Sequence, residues 1–293
     1  TTITGGTVNV TGTLGHATDQ TLDPQTQEVT APASGSYAGT IDIASGTLKL
    51  NTAATQTLAG AITGAGALTQ AGTGTTILTA ANTYSGTTTV SGGKLQIGAG
   101  GGTGTLGTAG VVTSSGGTLV FKRDNELTVA NLISGGGDIE QVGTGTTVLT
   151  ANNTFTGTTT ISAGTLQLGD GGTSGMVSLS NIVNSAELVF KRSDAIVVSE
   201  ELSGSGSITQ AGTGTLTLSG NNTSFEGGVT LNENTGALIV RSSTALGDST
   251  VSSLTMNTGS TLLLAHDVSI ANNITLAGAA TIGLAPLEID VLI

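Results

Sequence analysis

The sequence predicts an all-β chain wound as a right-handed parallel β-helix, and three observations predict it. Phrases recur along the chain at near-constant offsets, short segments alternate apolar and polar residues with a period of two, and the composition is rich in glycine but poor in charge and aromatics. Of 293 residues, 47 are glycine, aromatics make up 2% and charged residues 9%. That balance excludes a helical bundle, a coiled coil and a compact aromatic-cored enzyme domain. A hydrophobic share of 37% with so little charge also separates the chain from intrinsically disordered sequence.

The recurrences come in three kinds. Gln70-Ala-Gly-Thr-Gly-Thr75 returns at Gln141 and at Gln210, with offsets of 71 and 69. Leu119-Val-Phe-Lys-Arg123 returns as Leu188-Val-Phe-Lys-Arg192, with an offset of 69, and more faintly as Leu262-Leu-Leu-Ala-His266. An aromatic-x-Gly turn begins at Tyr37, Tyr84, Phe155 and Phe225, with offsets of 47, 71 and 70. Since 47 is close to two-thirds of 70, the unit reads as roughly 23–24 residues, and each longer repeat as three units.

Within a unit every element reads as a strand. Thr47–Leu50, Thr87–Val90, Lys94–Ile97 and Thr165–Leu168 all alternate, separated by glycine pairs or Asn/Gly/Ser clusters. The alternation turns Leu95 and Ile97 inward and Lys94 and Gln96 to water. Three such strands and three turns make one coil, stacked on the next at about 4.8 Å, and the length allows about twelve coils. Residues 1–285 read as one solenoid. A surplus between Thr7–Val10 and Thr40–Ile43, which align at an offset of 33, places a protruding loop at 15–36 with Pro24 and Pro32 in it. Residues 286–293 lack the Thr/Gly style and read as a cap, the start of a next segment or a tail.

The run from Leu58 to Gly98 resembles the passenger-associated transport repeat of bacterial autotransporters, with further copies at 132–169 and 202–240. The last copy departs after Phe225 with Glu-Gly-Gly-Val. The resemblance implies a type V secreted passenger, displayed on or released from the outer-membrane surface of a Gram-negative bacterium. It implies also that a signal peptide and a membrane-anchoring carboxy-terminal β-barrel belong to the parent protein, neither of which is in this sequence.

Function is less legible. Seven basic against 19 acidic residues give a net charge of −12, which opposes nucleic acid as a partner. Zero cysteines exclude disulfides and thiolate metal sites. No apolar run of about 18 residues provides a membrane helix, so no membrane insertion is expected of this segment. Lys122, Arg123, Lys191 and Arg192 are four of the seven basic residues, and this repeated pair is the candidate ligand-binding patch, suited to a sulfated glycan or an anionic lipid headgroup. Asp124, Glu126, Glu187 and Asp194 lie beside it in sequence, which favours a solvated ion-pair ladder. The six aromatics occupy repeat positions and read as structural rather than as a sugar platform.

No catalytic, cofactor or metal site is expected. The histidines, His16 and His266, have no Gly-x-Ser-x-Gly elbow to serve, and acids such as Asp42, Glu200 and Glu201 are scattered. Gly102-Thr-Gly-Thr-Leu-Gly107 matches a dinucleotide pattern without a βαβ unit, and Gly169–Gly175 lacks the repetition of a calcium nonapeptide. The expected role is therefore a non-catalytic stalk and adhesin acting by self-association between cells. A host-receptor binder, with a host glycan or matrix protein as partner, and a stalk that mainly assists secretion of an effector domain are the alternatives.

Overall fold

A computed structural model of the chain describes residues 2–10, 28–29, 35–177 and 181–286, with side chains at 4, 5, 9, 10, 28 and 29 left aside. Among them every regular element is a β-strand. Every strand pairing between named strands is parallel, which makes the chain a parallel β-solenoid. It divides into two compact units, Thr1–Thr159 and Thr160–Ile293.

In the first unit a coil has three faces, shown by Ile62–Thr63, Ala67–Gln70 and Thr75–Leu78. The strand Ile41–Leu50 spans two of them, pairing Ile41 with Ile62 and Leu48 with Leu68. It bends at Gly46, whose φ of 89° lies in the left-handed region that glycine enters freely. One ladder runs Leu48, Leu68, Thr88, Val111, Ile133 through successive coils. Another runs Thr76, Leu95, Leu119, Ile139. All these residues are buried, so alternation within each strand becomes like-on-like stacking along the interior. The corners close tightly: Ala71 and Gly74 amides donate to the Leu50 and Thr52 carbonyls of the preceding coil at 2.8 and 2.9 Å. A methyl group at Gly72 or Gly74 would overlap the carbonyl oxygens of Thr52 or Ala54, which explains why glycine recurs in this phrase.

The second unit repeats the plan. One sheet stacks Thr165–Leu168, Glu187–Phe190, Ser207–Gln210, Val229–Leu231, Ser253–Met256 and Asn273–Leu276. A second stacks Ile196–Val198, Leu216–Leu218, Leu238–Val240, Thr261–Leu264 and Thr281–Leu284. The third face holds Ile182–Asn184 and Leu202–Ser203, followed by a single bridge from Gly204 to Phe225. In the last described coil the core-facing positions Ile274, Leu276, Ile282 and Leu284 are 37 to 65% exposed, although they continue ladders that are buried one coil earlier at Leu254, Met256 and Leu262.

Three expectations change. The coil is mostly shorter than the unit inferred from the repeats: paired positions lie 19 apart at Thr76 and Leu95, 20 at Leu48 and Leu68, and 25 at Val229 and Leu254. The long repeat is not three coils either. From Leu68 the ladder advances three coils to Ile133, and Gln141 then lies one face further on, beside Ile139, whereas Gln70 lies beside Leu68. The second unit does the same, since three coils separate Leu188 from Leu254 and Leu262 occupies the next face. The physical reason is that the element repeated in sequence is one strand with its corner, about seven residues, and ten of these make about 70. Finally, Thr7–Val10 pairs with Thr47–Leu50, at an offset of 40, not with Thr40–Ile43. The surplus is thus larger than the alignment gave. Glu28 and Val29 return to the other edge of Asn9 and Val10, so part of the excursion adds a short strand to the first coil. Gly35 and Ser36, expected in the loop, instead begin the strand Gly35–Tyr37, which pairs with Gln56–Leu58. Residues 15–27 and 30–34 of the expected loop, and 287–293 of the tail, lie outside the described residues.

Candidate functional site

The phrase that ends in Lys-Arg closes the strands Gly117–Phe121 and Glu187–Phe190. Alternation buries Phe121 and Phe190 and leaves Lys122 and Lys191 exposed. The arginine that follows turns back along the preceding coil. Arg123 donates from Nη1 to the Gly104 carbonyl at 2.9 Å, from Nη2 to that of Gly102 at 2.6 Å, and from Nε to Asn125 Oδ1 at 2.9 Å. Arg192, only 6% exposed, donates from Nη2 to the Thr173 carbonyl at 2.6 Å and grips Asp194 through Nε and Nη2 at 2.8 and 2.7 Å. The loops they hold close in matching ways: Gly100 and Gly171 amides donate to the Lys122 and Lys191 carbonyls, each at 2.8 Å.

Each guanidinium therefore serves as a clamp on a glycine loop, a use for which its planar fork of donors is suited. The loops are the two segments that matched nucleotide and calcium patterns by letter, 102–107 and 169–175. In the second unit the Arg192 guanidinium bonded to Asp194 holds that carboxyl below the usual carboxylate range. Glu187 turns instead to threonines, accepting from Thr165 at 2.8 Å and Thr209 at 3.2 Å. What each Lys-Arg pair presents to solvent is chiefly the ammonium of Lys122 or Lys191. The two pairs belong to different units.

The other residues singled out are dispersed. All six aromatics are interior, with Tyr84, Phe121, Phe155, Phe190 and Phe225 fully buried. Burial pushes the Tyr84 hydroxyl up from its ordinary value while it bonds Thr88 Oγ1 at 2.7 Å. Glu200 folds onto Ser199, and Asp42 accepts from Thr63. Among the described residues no three His, Cys, Asp or Glu side chains gather where they could hold a metal ion.

Two sets of buried amides escaped sequence reasoning: the glutamines brace the corner that follows them, and the asparagines hold the preceding coil. Gln70 and Gln141 each donate to two corner carbonyls, Gly72 and Gly74 or Gly143 and Gly145, and each accepts from a threonine hydroxyl at 2.7 Å. Asn82, Asn153 and Asn222 accept from the Ile62, Ile133 and Leu202 amides of the preceding coil, all at 2.8 Å. The signal was present as the constant first letter of one phrase and as the asparagine two or three positions before the aromatic.

Two shallow grooves follow from the same repeat. In the first unit about 280 Å³ lies between Thr105–Thr108 and Leu127–Asn131. In the second about 520 Å³ lies across three coils, at Thr223, at Ser243 to Ser249 and at Ser269 to Ala271. Each forms in the coil after a buried aromatic. The Thr108 amide donates to the Tyr84 carbonyl at 2.9 Å, and the Asp248 amide to that of Phe225 at 2.8 Å. Gly107 and Gly247 sit close against those same aromatic residues.

Comparison with known proteins agrees with this architecture. The family model of the passenger-associated-transport-repeat matches residues 68–97, 139–168 and 208–240. The chain is 47% identical over 62 residues to the adhesin BmaC autotransporter of Brucella suis biovar 1 (strain 1330), an alignment covering 21% of this chain and 2% of that much longer protein. No solved structure matches. The matched copies each begin inside a buried strand and end on one, with Leu68, Ile139 and Ile208 at the same place beside the corner glutamine. Three matches to the passenger-associated-transport-repeat, wound as a parallel solenoid, and the partial similarity to an autotransporter adhesin support an autotransporter passenger segment built from these repeats.

Proposed function

We propose that the chain is a non-catalytic adhesive stalk on the outer-membrane surface of a Gram-negative cell, associating with copies of itself through its coil-repeated exterior. The observation that carries the reading is a ladder in the second unit: outward-facing Thr209, Thr230, Thr255 and Thr275 stand in register on successive coils. Hydroxyls spaced by the coil rise, about 4.8 Å, recur at the same step on any second copy, so weak contacts add along the contact line. The adhesin among its relatives supports an adhesive role. Anchoring would come from a barrel elsewhere in the parent protein. Sedimentation velocity over a wide concentration range tests the reading. Reversible dimers or larger species that persist in moderate salt, and that Thr230→Glu with Thr255→Glu abolishes, are expected. A concentration-independent monomer overturns self-association for this segment.

A second reading, contact with host glycans, is favoured by the recurring grooves. A sulfated glycan or anionic headgroup would have to rest on Lys122 and Lys191, since the neighbouring guanidinia hold loops. A secretion-assisting stalk shares the same fold, because each docked coil buries apolar surface and opposes backsliding through a pore.

A further inference from the structure

The groove of the second unit differs from the Lys-Arg sites in kind. Its rim carries the hydroxyls of Thr223, Ser243, Ser249 and Ser269, none of which bonds another described residue. Asp248 stands among them with Oδ1 accepting from the Thr250 amide and hydroxyl at 2.8 and 2.7 Å, and neither of these bonds uses Oδ2. These two bonds hold the carboxyl below the usual carboxylate range, so it is ionised at neutral pH. Ile270 supplies an apolar patch in the same lining.

Chemically, this is a concave surface of hydroxyl donors and acceptors, one fixed anion and a small apolar patch. Its hydroxyls come from three consecutive coils, so they step along the groove by about 4.8 Å, close to what one pyranose ring adds to an extended sugar chain. Ring hydroxyls pair with Ser and Thr hydroxyls in both donor and acceptor sense. The net charge of −12 and the Asp248 carboxylate repel sulfate and carboxylate groups and attract an ammonium. With no aromatic in the lining, a single site would be weak. The groove at Thr105 and Leu127, in the first unit, has Thr108 where the second has Asp248, and its Asn131 amide already donates to the Gly107 carbonyl at 2.8 Å.

We propose that the groove at Thr223, Ser243–Ser249 and Ser269–Ala271 is a saccharide subsite that takes neutral or amino-substituted oligosaccharides and excludes sulfated ones. The Thr105–Asn131 groove is a neutral counterpart generated at the equivalent repeat position. Binding by the chain is thus a sum of weak, regularly produced contacts, which gain strength by avidity on a polymeric sugar. This rests on the glycan reading above and names its ligand class and place.

The test is an NMR titration of the full chain with three probes: chitotetraose, its fully deacetylated form and a heparin tetrasaccharide. The expected result is shift changes at Ser243, Ser249 and Ser269 with both chitin-derived probes, and tighter binding of the deacetylated one. Asp248→Asn should remove that preference, and Ser243→Val with Ser249→Val should weaken both probes about tenfold, as expected for lost hydrogen bonds. Thermal melts of the variants equal to wild type show that folding is intact; should the double variant fail this check, Asp248→Asn, on a side chain at the groove rim, carries the test. Heparin binding at Lys122 or Lys191 with no shifts in the groove overturns the subsite while sparing the glycan reading. No binding of any probe overturns both.

Discussion

Replacing Gln141 by leucine keeps the side-chain bulk and removes an amide that three partners use. Nε2 donates to the Gly143 and Gly145 carbonyls at 2.9 and 3.2 Å, and Oε1 accepts from Thr147 at 2.7 Å. Gln141 and Thr147 are 1% and 2% exposed, so water does not replace the lost partner at the hydroxyl, whereas Gly145 is half-buried and its carbonyl recovers some solvent. A net ~1 kcal/mol per hydrogen bond, with an added penalty for the stranded hydroxyl, puts the cost at roughly 3 kcal/mol. Because a solenoid opens locally, the effect belongs to the neighbourhood of the corner rather than to one global transition. Hydrogen exchange of the amides in 142–149 should accelerate by roughly a hundredfold, the equivalent of such a loss, with far smaller changes in the second unit. Gln210 provides the internal comparison. It makes the same two bonds, to Gly212 and Gly214, but position 216 is leucine where the other copies have threonine. Gln210→Leu should therefore cost about 1 kcal/mol less than Gln141→Leu. Equal costs at the two sites, or unchanged exchange in 142–149, would refute the view that these glutamines brace the corners.

Other outcomes follow from the same geometry. Asp194 has a folded-state carboxyl below the ordinary value of 3.8 through its bonds to Arg192, so its contribution is present above that pH and is lost as pH falls below it; Asp194→Asn should flatten that part of an acid-unfolding curve. Tyr84 has the opposite shift, raised above 10.0 by burial, so the folded state keeps its proton longer and stability falls as pH rises past that value; Tyr84→Phe should blunt alkaline unfolding followed by absorbance of ionised tyrosine. Arg192→Lys should free the 169–175 loop, read as faster exchange of the Gly171 amide, since lysine cannot reproduce the fork that binds both Asp194 and Thr173. Lys94→Ala removes an exposed 2.7 Å pair with Glu140 and should change stability by no more than about 1 kcal/mol in urea titration.

Much of this molecule is local and therefore legible in one dimension. Period-two alternation alone turns Leu95 and Ile97 inward, and both are fully buried. Repeated phrases alone give stacked parallel strands, because identical short segments satisfy each other's backbone groups best when laid side by side. The aromatics read as structural from their repetition, and they are interior. Arg123 and Arg192 read differently in the two dimensions. In sequence they are surplus positive charge beside acids; in space they reach carbonyls 19 to 21 residues upstream, a distance that becomes a contact only when one coil lies on another.

The amino-acid sequence by itself determined the strand class, the inward and outward sides and the presence of the passenger-associated transport repeat, since each depends on a residue and its near neighbours. Only the tertiary structure decided the coil length, the face on which each repeat falls, the upstream carbonyls that Arg123 and Arg192 reach and the amides of the preceding coil that Asn82, Asn153 and Asn222 hold. Those depend on how much chain each corner takes up. A few residues more or fewer at a corner leave every local pattern intact, yet they change which distant segment lies one coil away.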